Sequence, residues 1–179
     1  MRPPAYGLPV VAAALLAAAA LGGMSAMAAL PELVESGERG AALESIAAGI
    51  DVDERSADGT TALHWAAHQG DRELVRLLLG HGADANAVND YGVTPLAAAA
   101  VEADYDIVAS LVEAGAVVDA PNAEGQTALM VVARTGRTDT ARLLLERGAD
   151  VNALEQWGGQ SALMWAAAQR QPAMIRLLT

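Results

Sequence analysis

The 179-residue chain has no cysteine, no phenylalanine and no lysine. Without cysteine it can form no disulfide scaffold, thiolate nucleophile, cysteine-ligated zinc site or iron–sulfur cluster. Without lysine, Schiff-base catalysis is excluded. Aromatic residues are only 3% of the chain. A core must therefore come from aliphatic and small side chains, which lets helices pack closely. Positive charge is scarce too: eleven arginines face 22 acidic residues, a formal net charge of −11. Such a chain cannot neutralise phosphates across a broad face, which argues against a nucleic-acid partner. Hydrophobic residues, by contrast, make up 53%, and the length fits one or at most two domains.

Residues 1–28 have the composition of an address. Arg2 precedes an uncharged apolar run from Val10 to Leu21, followed by Gly22, Gly23 and the small-x-small sequence Ala26-Met27-Ala28. This is the order of a secretory signal peptide, with cleavage expected after Ala28. The apolar run is too short to span about 30 Å of hydrocarbon at roughly 1.5 Å per residue. The competing reading is an uncleaved anchor over Leu8–Leu30, but Pro9, Gly22 and Gly23 interrupt that stretch. Either way the rest of the chain is expected outside the cytoplasm, periplasmic or secreted, with no membrane contact once the signal is removed.

Beyond residue 30 the chain repeats itself. Gly59, Gly92 and Gly125 step by 33, and Gly159 follows after 34. Thr61, Thr94, Thr127 and Ser161 keep the same steps, as do Leu63, Leu96, Leu129 and Leu163. A further series, Gly49, Gly82, Gly115 and Gly148, also steps by 33. Phased series of this period indicate a stacked solenoid. Within a unit, Thr61 can cap a helix whose Leu63, Ala66 and Ala67 form one narrow apolar face. Thr94 is followed by Pro95, whose missing N–H costs nothing at a first helical position. Gly70 ends that helix, and a second runs from Asp71 to His81 with Leu74, Val75, Leu77, Leu78 and Leu79 inward, stopped by Gly82. Turn-forming residues over 83–92 lead to the next unit.

These residues resemble the ankyrin repeat family. The resemblance rests on Asp58-Gly59-Thr60-Thr61-Ala62-Leu63-His64-Trp65-Ala66-Ala67 and Gly82-Ala83-Asp84-Ala85-Asn86, on Gly92-Val93-Thr94-Pro95-Leu96, on Gly125-Gln126-Thr127-Ala128-Leu129 and on Gly148-Ala149-Asp150-Val151-Asn152. It covers roughly residues 31–179 and implies an all-α ankyrin-repeat solenoid of helix-turn-helix units with β-turn-like loops. The expected organisation is a degenerate capping repeat over 29–55, repeats over 56–88, 89–121 and 122–155, and a partial repeat over 156–179. Some positions depart from the pattern. Ala97 stands where repeat one has His64, Ala103 and Arg170 stand where it has Gly70, and Thr140 and Ala141 stand where it has Leu74 and Val75. The last departure predicts a looser layer. Because the chain ends within a second helix, Leu177 and Leu178 are expected to face water, as in a truncated array.

No set of catalytic residues emerges. His64 and His68 are four apart and could share a zinc on one helix face, but no Glu follows His64 to complete a metalloprotease motif. The resemblance implies instead that His64 satisfies backbone groups between adjacent turns. Asp51, Asp53, Asp84, Asp119 and Asp150 recur in equivalent loops, as turn and side-chain-to-backbone positions do. Asp104 and Asp106 have no His or Lys nearby in sequence to complete an acid–base set. His81, before Gly82, suits a helix C-terminus. The expectation is a non-enzymatic protein with no cofactor and no metal.

What the resemblance implies is protein binding through turn tips and first-helix surfaces. In repeat one these are Asp58, Thr60, His68 and Gln69, with Ala57 beside them. Repeat two offers Asp90, Tyr91, Val93 and Glu102, with Val101. Repeat three offers Glu124, Gln126 and Arg134, with Thr135. Repeat four offers Trp157 and Gln160, with Gln169. Tyr91 and Trp157 are aromatic anchors at tips, and Trp65 and Trp165 are read as inter-repeat packing at the border of the groove. The expected partner is another envelope or secreted protein. The alternatives are an effector acting on a host protein and a metal-dependent enzyme using His64 and His68.

Overall fold

The computed structural model describes residues 28–179. The signal segment expected over 1–28 therefore lies, apart from Ala28, outside the described residues. Among the described residues there are ten helices, arranged in five pairs. They are α1 (Leu30–Glu35) with α2 (Arg39–Ala47), α3 (Ala62–Gln69) with α4 (Arg72–Gly80), α5 (Pro95–Glu102) with α6 (Tyr105–Glu113), α7 (Ala128–Thr135) with α8 (Thr138–Glu146), and α9 (Ala162–Ala168) with α10 (Pro172–Leu178). The first helices of successive pairs stack on one another as an inner row, and the second helices form an outer row behind them. The molecule is an all-α repeat solenoid.

Local chemistry sets each helix start. The Thr94 side chain accepts the Ala97 N–H at 3.2 Å, and Pro95 occupies the first turn of α5. Ser161 does the same for Met164 at 3.4 Å. At α3 the histidine of the motif takes part as well: Thr61 N–H donates to His64 Nδ1. The Thr127 hydroxyl, expected to cap in the same way, is buried without a partner. First helices end on a left-handed residue. It is glycine at Gly70 and Gly136, but Ala103 (φ 51°) and Arg170 (φ 54°) adopt the conformation without that freedom. Two repeats thus accept backbone strain that glycine avoids.

The core is a continuous apolar seam. Leu63, Leu96 and Leu129 are buried in the inner row, and Leu78, Leu111 and Leu144 in the outer row. Alanines such as Ala66, Ala99, Ala133 and Ala166 lie between them, fully buried. The layer of repeat three is not simply depleted by its substitutions. Thr140 and Ala141 are both fully buried, and Thr140 Oγ1 donates to the Ala103 carbonyl at 2.8 Å. A hydrogen bond replaces apolar contact there. At the far end, Leu178 is buried and Leu177 half-buried, so the expected exposure of Leu178 is corrected. It belongs to the same buried apolar cluster as Leu78.

Loops are joined by a side-chain ladder. Asp53 accepts the Asp84 N–H at 2.8 Å, Asn86 that of Val117 at 2.7 Å, and Asp119 that of Asp150 at 3.0 Å. The periodic carboxylates are thereby engaged in holding turns. At the tips, Asp90 N–H reaches the Asp58 carbonyl, Ala123 N–H that of Tyr91, and Gln156 N–H that of Glu124. Gly92 is needed at this junction, because it has φ 72° and a Cβ there would lie 2.8 Å from Ala123 N. Each tip is thus keyed to the next, which holds the tip side chains along one edge.

A candidate protein-binding groove

The inner helices and the tips enclose a groove of ≈ 590 Å³ that crosses three repeats. Repeat one contributes Asp58, Thr60, Trp65 and His68; repeat two contributes Tyr91, Val93, Ala97 and Val101. Gln126, Val131, Arg134 and Thr135 of repeat three continue it, and Gln169 closes the far side. Helix α5 supplies most of the apolar floor, because Ala97, Ala98 and Val101 all face the groove from it. Tyr91 is 62% exposed, so its ring is available at the rim.

His64 shows how the groove wall is built. Its ring is buried, with Nδ1 2.9 Å from Thr61 Oγ1 and Nε2 3.0 Å from the Val93 carbonyl. Because Thr61 N–H donates to Nδ1, that nitrogen carries the lone pair, and Nε2–H donates to Val93. The imidazole therefore links its own helix start to the tip of the next repeat. Burial holds it below its ordinary pKa, against the opposing pull of the Val93 carbonyl. Both ring nitrogens are occupied, so neither is available to a metal in this arrangement. The neighbouring His68 meets Trp65 edge-on, with ring centroids 6.2 Å apart. Among the described residues no three His, Cys, Asp or Glu side chains cluster as a metal site would require.

Charge is sparse in the groove. Asp58 is held below the usual carboxylate range, chiefly by the Ser56 hydroxyl and then by the Thr60 backbone N–H. Arg134 lies over the Trp165 ring, 5.3 Å from its centroid. This geometry gives a cation–π contact and leaves the guanidinium edge exposed.

The structure brings some sequence-expected residues together and separates others. Asp58, Thr60, His68, Tyr91, Val93, Gln126 and Arg134 line the groove, although Thr60 is buried and its hydroxyl accepts from Asn89 Nδ2. Glu124, Trp157 and Gln160 lie in a neighbouring hollow with Trp165, and Gln126 touches both. Trp157 is 84% exposed there. Gln69 is not among the residues lining the groove, and its amide donates to the Val34 and Glu35 carbonyls at the end of α1. Asp90 and Glu102 line neither hollow.

Two features were missed in the sequence. Ala97 and Ala98 look like filler, yet they form the floor. The only sign was the break in the position held by His64. Glu155 is the other. Its buried carboxylate accepts N–H bonds from Gln160, Trp157 and Gly158, which hold it below its usual range. The equivalent Asn122 accepts from Glu124 and Gln126. The longer acid matches the one-residue insertion in the fourth tip, and the 34-residue step was its signal.

The decisive comparison is with known families. The chain matches the family described as ankyrin repeats (three copies), over residues 15–122 and again over 115–179. The protein belongs to the ankyrin repeat family. The curated proteins include no match to it. As an ankyrin-repeat array, the chain is a protein–protein interaction module, of a kind that is generally non-enzymatic.

Proposed function

We propose that this ankyrin-repeat chain is exported and binds another envelope or secreted protein through the groove across repeats one to three. The observation that carries the reading is the groove itself, ≈ 590 Å³ with an alanine and valine floor and an exposed tyrosine at its rim. An interaction anchor needs a desolvated apolar centre inside a polar margin, and the groove supplies both. Export is supported by Arg2, the apolar run Val10–Leu21 and Ala26-Met27-Ala28.

The binding test is capture from an envelope extract. It uses the wild type, Tyr91→Ala with Val101→Glu in the groove, and Arg76→Ser on the outer row as a control. A partner retained by wild type and Arg76→Ser but lost with the groove variant is expected; equal recovery on all three refutes the surface. N-terminal sequencing of protein recovered from the periplasm should begin at Ala29. An intact chain retained in the cytoplasm refutes export.

A further inference from the structure

We propose that the groove selects a partner segment with one bulky apolar side chain flanked by a cation on the repeat-one side and an anion on the repeat-three side. This rests on the groove being the binding surface and adds the chemistry of what it binds. The hollow has a local cause in the row of third residues of the first helices, which reads His64, Ala97, Met130 and Met164. His64 and Met130 fill their own levels and are buried. Between them Ala97 ends at its methyl, so the space that a longer side chain would take stays open above α5. Trp65, Tyr91, Val101 and Val131 surround that space. Among the described residues these four neighbours of the space are uncharged, and a bulky aliphatic or aromatic side chain is the chemistry that fills it.

The two ends of the groove carry opposite charge. Asp58 and Arg134 are the charged residues that line it, one from repeat one and one from repeat three. Asp58 accepts from the Ser56 hydroxyl and the Thr60 N–H at Oδ1, and a carboxylate with about four lone-pair sites keeps acceptor capacity for a cation. Its lowered pKa keeps it ionised. Arg134 is in none of the ion pairs among the described residues and rests on Trp165, a stacking geometry that leaves guanidinium N–H groups available at its edge. An occupant crossing from the tip of repeat one to the end of α7 meets a carboxylate, then an apolar hollow, then a guanidinium. Complementary charges set its direction and reject the reversed order, in which like charges would face each other.

The test is selection of a random displayed peptide library on the full chain, with Ala97→Met, Asp58→Asn and Arg134→Gln in parallel. Ala97→Met fills the hollow with the residue that repeats three and four carry there, and its melting curve and circular dichroism serve as the fold control. Wild type should enrich peptides with a bulky apolar residue between a basic and an acidic one in a consistent order. Ala97→Met should reduce their binding at least tenfold. Asp58→Asn should abolish only the preference for the basic residue, and Arg134→Gln only that for the acidic one. Enriched peptides that lack charge order, or that bind a folded Ala97→Met chain equally well, overturn this inference while leaving the groove as a binding surface. Failure to enrich any peptide overturns both readings.

Discussion

In the first half of the stack each outer helix opens with an arginine that reaches forward. Arg39 bonds Asp71 and Glu73 at 2.7 Å each, and Arg72 bonds Asp104 at 2.8 Å and also pairs with Asp106. In the second half Tyr105 and Thr138 stand at those positions, and the next outer helices start at the N-cap residues Arg137 and Gln171, without a side-chain cap, instead of at capping carboxylates. There the joint is the buried bond from Thr140 to the Ala103 carbonyl. The contrast separates two ways of fastening the same apolar seam. One uses exposed ions that also cap the next helix, since Asp71 accepts from Leu74 and Asp104 from Asp106 and Ile107. The other uses a neutral bond between outer and inner rows that is shielded from water. Exposed pairs contribute little individually and are weakened by salt, whereas a shielded bond is costly to break. The two halves should therefore respond differently to mutation, salt and pH.

The seam itself should be common to both halves. Leu78→Ala in repeat one and Leu144→Ala in repeat three remove equivalent, fully buried side chains and should each cost about 2–5 kcal/mol. Urea unfolding of both variants checks this, and a small loss in either would show that the seam is not continuous. Thr140→Val keeps the shape but leaves the Ala103 carbonyl without its partner, a loss of about 1–3 kcal/mol that salt should not alter. Asp104→Ala removes a cap and an ion pair together and should cost roughly 1 kcal/mol. Part of that loss should disappear in high salt. Arg137→Ala, at the equivalent position where no side-chain cap exists, should be nearly silent. Thermal melts of these three variants at low and high salt therefore break or confirm the contrast.

The smallest expected effect is in pH. His64 is held below its ordinary value of 6.5, so the unfolded chain takes up the proton first as pH falls. Stability contributed by the neutral ring is complete above about 6.5 and is lost as pH drops from there through the folded value. Asp71 and Asp104 are also lowered, by Arg39 and Arg72 and by backbone N–H donors that outweigh their desolvation. Their contribution is present above their ordinary 3.8 and is lost at lower pH. Urea midpoints measured from about pH 7.5 to about pH 5 should decline for wild type. His64→Gln should lack that part of the slope, and an unchanged slope would remove His64 from the account.

Much of this architecture could be read in advance at particular residues. Thr94-Pro95 and Gly70 mark a helix start and stop because capping and left-handed geometry are local matters, decided within one turn of chain. Leu63, Leu96 and Leu129 announce the seam because equivalent positions in a repeat have equivalent neighbours. Gln69 is expected on the binding surface from its position at the end of a first helix, a position that says nothing of its long-range partners. Its amide donates to two carbonyls at the end of α1, 34 and 35 residues away. Thr140 signalled a loose layer because side-chain volume can be read from one position, but a hydrogen bond needs its partner's location. The expectation that Leu178 faces water fails for a similar reason: it lies in a buried cluster drawn from all five helix pairs, which its own helix does not announce.

The sequence alone determined the family, the repeat period, the helix boundaries and the exclusion of cysteine and lysine chemistry. All of these depend on residue type and on spacing within about one repeat. Tertiary structure decided which of the tip residues share a groove, that an alanine makes its floor, and how each repeat is fastened to the next. Those properties arise where residues some 30 positions apart meet, and no local pattern specifies the distance or direction of such a meeting.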